Sequence, residues 1–173
     1  MPGNKIEKPI EIKIEIPTNA YFMSGIRDFT LSMIKNMTDF SEQWAYRFQS
    51  VVDELCNNAI EHGSNLDDKI YVTFITHPNQ DIEIIVEDNG TNPNKKTATQ
   101  IREIMEVNKN KEIAEIGIRG RGLAFIVEQW TDELKIEDRP NGGVKITVKK
   151  SLNDPEFTQK IPDANDPTRI VLA

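Results

Sequence analysis

VVDELCNNAIEHG, Val51 to Gly63, decides how the rest of the chain is read, because it places an acid and an amide one helical turn apart. Glu54 and Asn58 stand at i and i+4, so both project from one face of a helix. The opposite stripe, Phe48, Val51, Leu55 and Ala59, is apolar and suited to packing on a sheet. A carboxylate can take the proton of an attacking hydroxyl or water, and an amide oxygen one turn later can hold a divalent cation. Asn is a poor helix-interior residue, which makes a purely structural role less natural. Asn57 offers the same chemistry as Asn58, and the helix alone does not choose between them. The pair points to phosphoryl transfer if a phosphate cradle stands elsewhere in the chain.

Two glycine-bearing stretches downstream supply one. IIVEDNG, Ile84 to Gly90, is an apolar strand that runs straight into Asp-Asn-Gly, a strong turn signal. GIRGRGLAFIVEQW, Gly117 to Trp130, packs three glycines into six residues and then becomes apolar and helical. Glycine lets the backbone approach a polyphosphate closely, and a helix start turns free N–H groups toward the anion. Arg119 and Arg121 add positive charge to the same loop. The acidic residue and strand that a dinucleotide fingerprint requires do not line up here, and no Walker sequence is present.

This order of boxes resembles the GHKL ATPase superfamily and, within it, the bacterial anti-sigma-factor serine kinases. The resemblance spans roughly residues 10–150. It implies a GHKL ATP-binding fold that uses ATP and Mg2+, with Glu54 as general base and Asn58, picked over Asn57 by the family spacing, as metal ligand. By the same resemblance Asp88 accepts a hydrogen bond from the adenine amine and Gly90 turns the chain beneath the base. Gly117, Gly120 and Gly122, with the N–H groups of Arg121 and Leu123, would wrap the phosphates, and Arg119 or Arg121 would reach the last one. Residues 91–116 match the position of the ATP lid. Glutamate at position 54, where histidine-kinase ATP domains usually carry asparagine, favours a serine kinase or a water-using ATPase. Histidine kinases also need a helical hairpin bearing the phosphorylated histidine, and neither His62 nor His77 is so placed.

The resemblance further implies a protein that phosphorylates an anti-anti-sigma (STAS-type) partner, sequesters a sigma factor and works as a homodimer. A nucleotide-gated binding module with little kinase activity is the rival from another class. Three departures stand out. The first box continues Thr91-Asn92-Pro93 without a second glycine, the Gly-Arg-Gly-Leu-Ala-Phe order from Gly120 to Phe125 lacks a third, and Val144-Lys145 stands where many relatives have a threonine beside the adenine.

The 173 residues are enough for one domain with a real core. A formal net charge of −7 argues against direct nucleic-acid or anionic-membrane binding. There is no apolar run long enough to span a bilayer and no signal peptide, and the single cysteine, Cys56, fits a reducing cytoplasm. Cys56 reads as a small buried residue of the long helix.

Hydrophobic spacing gives an order of elements. Ile10, Ile12, Ile14 and Ile16 alternate with charges as a half-buried strand, and a helix from Thr18 carries Phe22, Ile26, Phe29 and Met33 on one stripe. Ser41 caps the long helix. A hairpin pairs Ile70–Ile75 with Ile82–Glu87 through His77–Gln80, and a short helix is expected around Ile101, Ile104 and Met105. Strands near Leu134–Glu137 and Val144–Lys149 flank an Asn-Gly-Gly turn. Trp44 and Trp130 read as core or dimer surface, Glu61 as a surface acid and His62 as a helix-end group. These elements predict an α/β (α+β) two-layer sandwich, its sheet mixed but mostly antiparallel, with the helices on one face. Residues 1–9 read as a flexible leader, 10–150 as the domain and 151–173 as an extended or mobile tail.

Overall fold

Alternation at every second residue builds the sheet, and its register shows why. In the computed structural model, which describes residues 7–79, 81–111 and 122–152, Ile14, Val72, Val86, Ile146 and Ile136 lie side by side in one row across five strands. The strands are β1 (Ile10–Pro17), β2 (Lys69–Thr76), β3 (Ile82–Glu87), β4 (Glu133–Asp138) and β5 (Val144–Lys150). Their order is β1-β2-β3-β5-β4, and every pairing among the described residues is antiparallel. The row one residue along, Lys13, Thr73, Ile85, Thr147 and Lys135, points to the opposite face, exposed at its two lysines and buried at Thr73.

The apolar face is covered by helices. Helix α1 (Met23–Met37) follows a single 3-10 turn, Ala20–Phe22, capped by Asn19, whose side chain accepts from the Tyr21 N–H. The helix therefore begins five residues later than Thr18. Thr18 is instead buried, its hydroxyl donating to the carbonyls of Asn65 and Asp68. The later start moves the stripe that faces the sheet. Met23, Ile26, Thr30, Met33 and Ile34 are buried, whereas Phe22, expected on that stripe, is exposed.

Helix α2 (Glu42–Asn58) starts where Ser41 Oγ accepts from the Trp44 N–H and carries Glu42 in its first turn, next to the positive end of its dipole. Ala45, Phe48, Val51, Val52, Leu55 and Cys56 are buried on its inner side. Phe40, Trp44 and Phe48 form an aromatic cluster there, Phe40 and Phe48 meeting edge to face with centroids 5.1 Å apart. The helix continues as a π turn, Ala59–Gly63.

Helix α3 (Ala98–Lys109) is longer than the short helix expected around Ile101, Ile104 and Met105. Thr97 and Gln100 make a capping box at its start, and the Ala98 N–H donates to Asp138 on β4. Residues 122–130 form a π turn, Gly122–Val127, that ends in one α turn, α4 (Glu128–Trp130). Wider π winding replaces the uniform apolar helix expected after the glycines. Of the anticipated leader, residues 1–6 lie outside the described residues, as do 153–173 of the anticipated tail.

Candidate functional site

The buried stripe of α2 leaves the other side of the helix free to face a cavity. Glu54, Asn57 and Asn58 line it, with Glu61 and His62 from the π turn, Lys96 from the approach to α3, and Leu123 and Ala124 from the second glycine segment. Ile101, Ile104 and Met105 give it an apolar wall, and its volume is about 350 Å³. The acid and the amide read from the sequence thus open on one space. Neither Asn57 nor Asn58 has a side-chain hydrogen bond among the described residues, so both amide oxygens are available to a cation. The cavity does not separate the two asparagines.

The Glu54 carboxyl is less acidic than a free glutamate. Burial disfavours its charge first, and the neighbouring carboxylates of Asp53 and Glu61 add to the effect. A carboxylate shifted in that direction is a stronger proton acceptor. Gly122 explains how it is accommodated: a Cβ at that position would overlap Glu54 Oε2. The glycine is required here by a side chain of α2, a reason that the spacing of the loop does not reveal.

Asp88 sits at the end of β3, outside the cavity lining and only 4% exposed. Its Oδ1 accepts the N–H groups of Gly90, at 2.8 Å, and Val144, at 3.3 Å. Its Oδ2 has no hydrogen-bond partner among the described residues and lies where a Cβ on Gly63 would intrude. Burial raises the Asp88 pKa, while those two backbone bonds and the nearby Arg139 and Lys95 pull the other way. Gly90 has φ of +64° and lies against the backbone of Gly142 and Gly143, so the turn needs a residue without a side chain. Asn92 closes the segment over the π turn, its side chain donating to Glu61 O and its N–H to Gly63 O.

Asp68 holds the other side of the same segment. Its carboxylate accepts from the Asn89 side chain at 2.9 Å and from the Thr91 hydroxyl at 2.5 Å. Burial alone would raise its pKa, but the bonds from Thr91, Asn89 and the Lys69 N–H hold it below the usual aspartate value.

Gly122 and Leu123 of the second box reach the site, while Gly117, Arg119, Gly120 and Arg121 lie outside the described residues. Lys96 and the apolar wall of α3 were not singled out by the sequence. A lysine in a polar stretch reads as a solvated charge, and only the fold brings it to a cavity rim. His62, expected to cap a helix end, lines the cavity as well.

Comparison with known proteins identifies the family and the fold. A family model described as the histidine kinase-like ATPase domain matches residues 16–150. The chain is 27% identical over 150 residues to the serine-protein kinase RsbW of Listeria innocua, covering 86% of this chain and 92% of that protein. It is 28% identical over 107 residues to the anti-sigma F factor of Clostridium perfringens, covering 61% of this chain and 71% of the relative. Among solved structures, the RsbU and RsbW domains of a Mycobacterium tuberculosis protein share the fold with a TM-score of 0.56 at 16% identity. That match covers 82% of this chain and 32% of the larger one, so the chain spans about a third of that protein.

Proposed function

The chain belongs to the histidine kinase-like ATPase domain family, matched over residues 16–150, and from that premise we propose that it is an ATP-dependent protein serine/threonine kinase and anti-sigma factor. Its substrate in this reading is a STAS-type anti-anti-sigma protein, its regulatory target a sigma factor, and its working form a cytoplasmic homodimer. Among the described residues no helix is long and apolar enough to cross a membrane. The observation that carries the reading is the common cavity: Glu54 and Asn58, one helical turn apart, face it together with Leu123 of the glycine segment.

Each group has one task. Asp88 accepts the adenine amine through its free Oδ2. Gly90 keeps the turn beside Asp88 narrow. The backbone of Gly117, Gly120, Arg121, Gly122 and Leu123 receives the phosphates, with Lys96, Arg119 and Arg121 supplying positive charge. The donor set suits Mg2+ better than a fully protein-held metal, because Asn58 offers a single neutral oxygen and the remaining sites fall to phosphate and water. When bound, Mg2+ would neutralise phosphate charge. Glu54 takes the proton from the acceptor hydroxyl as its oxygen bonds to the γ-phosphorus and the bond to ADP breaks. Positioning and charge supply most of the acceleration.

Transfer of labelled phosphate from ATP to single-domain STAS-type proteins tests the proposal. The expected result is phosphorylation of one of them, lost in Glu54→Gln with nucleotide binding retained. Tight ATP binding by the wild type without transfer to any partner would overturn the kinase and leave a nucleotide-gated binding module.

A further inference from the structure

Segment 122–130 runs alongside α2 in the opposite direction. Gly122 lies against the Glu54 carboxylate at one end. At the other end Trp130 lies beside Arg47, its ring centroid 5.7 Å from Arg47 Cζ. Ala124 and Val127 between them are buried. Arg47 precedes Glu54 by seven residues, two helical turns, so the two share a face of α2 with Asn58. The guanidinium also stands 4.7 Å from the ring centroid of Trp44 on its own helix, and so is held between two indoles, one from each segment. It makes no ion pair among the described residues.

Trp44 is fixed in turn. Lys150, buried at the end of β5, lies 4.8 Å from its ring centroid and pairs with Asp132 at 2.7 Å. The Ser151 N–H donates to the other Asp132 oxygen at 2.7 Å. The C-terminal end of segment 122–130 is therefore anchored to α2 and the sheet, while its N-terminal end carries the residue that must meet Glu54. Between the two lies the π turn, a winding that is rare and concentrates at functional sites. Reverting it to α winding with the Trp130 end fixed would rotate and shift Gly122 relative to Glu54.

We propose that Arg47 is a positioning residue, whose stacking between Trp44 and Trp130 fixes the register of segment 122–130 so that Gly122 seats on the Glu54 carboxylate and the phosphate-binding backbone faces the cavity. This rests on the nucleotide-binding reading above and adds a residue to it. Arg47 is not among the residues that line the cavity, and in this proposal it acts through the segment. Its partial burial, which lowers its pKa from the ordinary arginine value, is consistent with a cation whose partners are aromatic faces.

The test uses the full chain with Arg47→Gln, Arg47→Lys and Trp130→Leu, read by Mg2+-loaded AMP-PNP affinity and by amide hydrogen exchange without nucleotide. Arg47→Gln is expected to weaken AMP-PNP about tenfold, and Arg47→Lys, which keeps a cation over the rings, to stay within about threefold of wild type. Trp130→Leu should match Arg47→Gln, and the double variant should be no weaker than either single one. In the nucleotide-free protein Arg47→Gln should lose exchange protection at 122–127 and keep it in the sheet. Lost protection with unchanged AMP-PNP affinity would overturn the proposal and reduce Arg47 to a structural staple, and so would unchanged protection at 122–127. If the wild type binds no AMP-PNP, the functional reading fails by itself, and the exchange data still decide whether Arg47 sets the segment's register.

Discussion

A raised Glu54 pKa ties stability to activity at a single residue. The folded value lies above the unfolded one, so below the unfolded pKa the group is neutral in both states and has no effect. As pH rises past that point the unfolded chain ionises more readily, and stability falls until the folded group has also lost its proton. Glu54→Gln keeps the shape and removes the ionisation. It is predicted to melt higher than wild type at neutral pH while transfer falls about 10²- to 10⁴-fold, as checked by calorimetry and initial rates. Asp68 has the opposite sign. Its lowered folded pKa gives stability that is present above the unfolded value and is lost as pH falls through the folded one. Asp68→Asn should therefore flatten the acid limb of a urea-unfolding series as pH falls below the ordinary aspartate pKa. At this scale the sequence exposes Glu54 and Asn58 because helical spacing alone aligns them. It conceals the burial of Asp88, which depends on Gly63 and Gly143 closing on it from distant parts of the chain.

Elements fix what single residues cannot. Helix α2 is legible from its caps and stripe, since Ser41 and the buried run from Ala45 to Cys56 follow rules with a period of 3.6. The two π turns, Ala59–Gly63 and Gly122–Val127, are not legible, because their bonding pattern depends on tertiary packing and leaves no period in so short a run. The start of α1 lies later than the sequence predicts for a related reason: Thr18 suits a helix start, but its hydroxyl is drawn into the loop at Asn65 and Asp68. Gly122 offers a test of how tightly α2 and segment 122–130 are matched. Gly122→Ala introduces a Cβ that overlaps the Glu54 carboxylate, and it should destabilise the chain by about 1–3 kcal/mol. Truncating the opposing side chain in Gly122→Ala/Glu54→Ala should recover most of that loss. A thermodynamic cycle by urea unfolding measures the coupling, and strict additivity would show that the two side chains do not meet.

The whole molecule is a sheet with one apolar face closed by helices, and both faces can be read from alternation in the five strands. The order β1-β2-β3-β5-β4 is another matter. The turn at Asn141–Gly143 announces a hairpin, but it does not say that β5 enters the sheet beside β3 and leaves β4 at the edge. That edge is occupied by α3, through the bonds of Arg102 to the Ile136 carbonyl and of Ala98 to Asp138. Nucleotide that bridges α2, the 88–92 turn and segment 122–130 would tie three parts of this assembly together, so its binding should appear as global stability. At AMP-PNP near 100 times its dissociation constant, linkage gives about 2.7 kcal/mol, or roughly 5–10 °C in Tm for a chain of this size. The shift is predicted in Mg2+ buffer and should shrink when EDTA removes the metal. Asn58→Ala should show the smaller, EDTA-like shift in both buffers, because the amide oxygen that shares the cation with phosphate is gone. An Asn58→Ala protein that still gains its full shift from Mg2+ would hand the metal to another oxygen, with Asn57 next in line on the cavity wall.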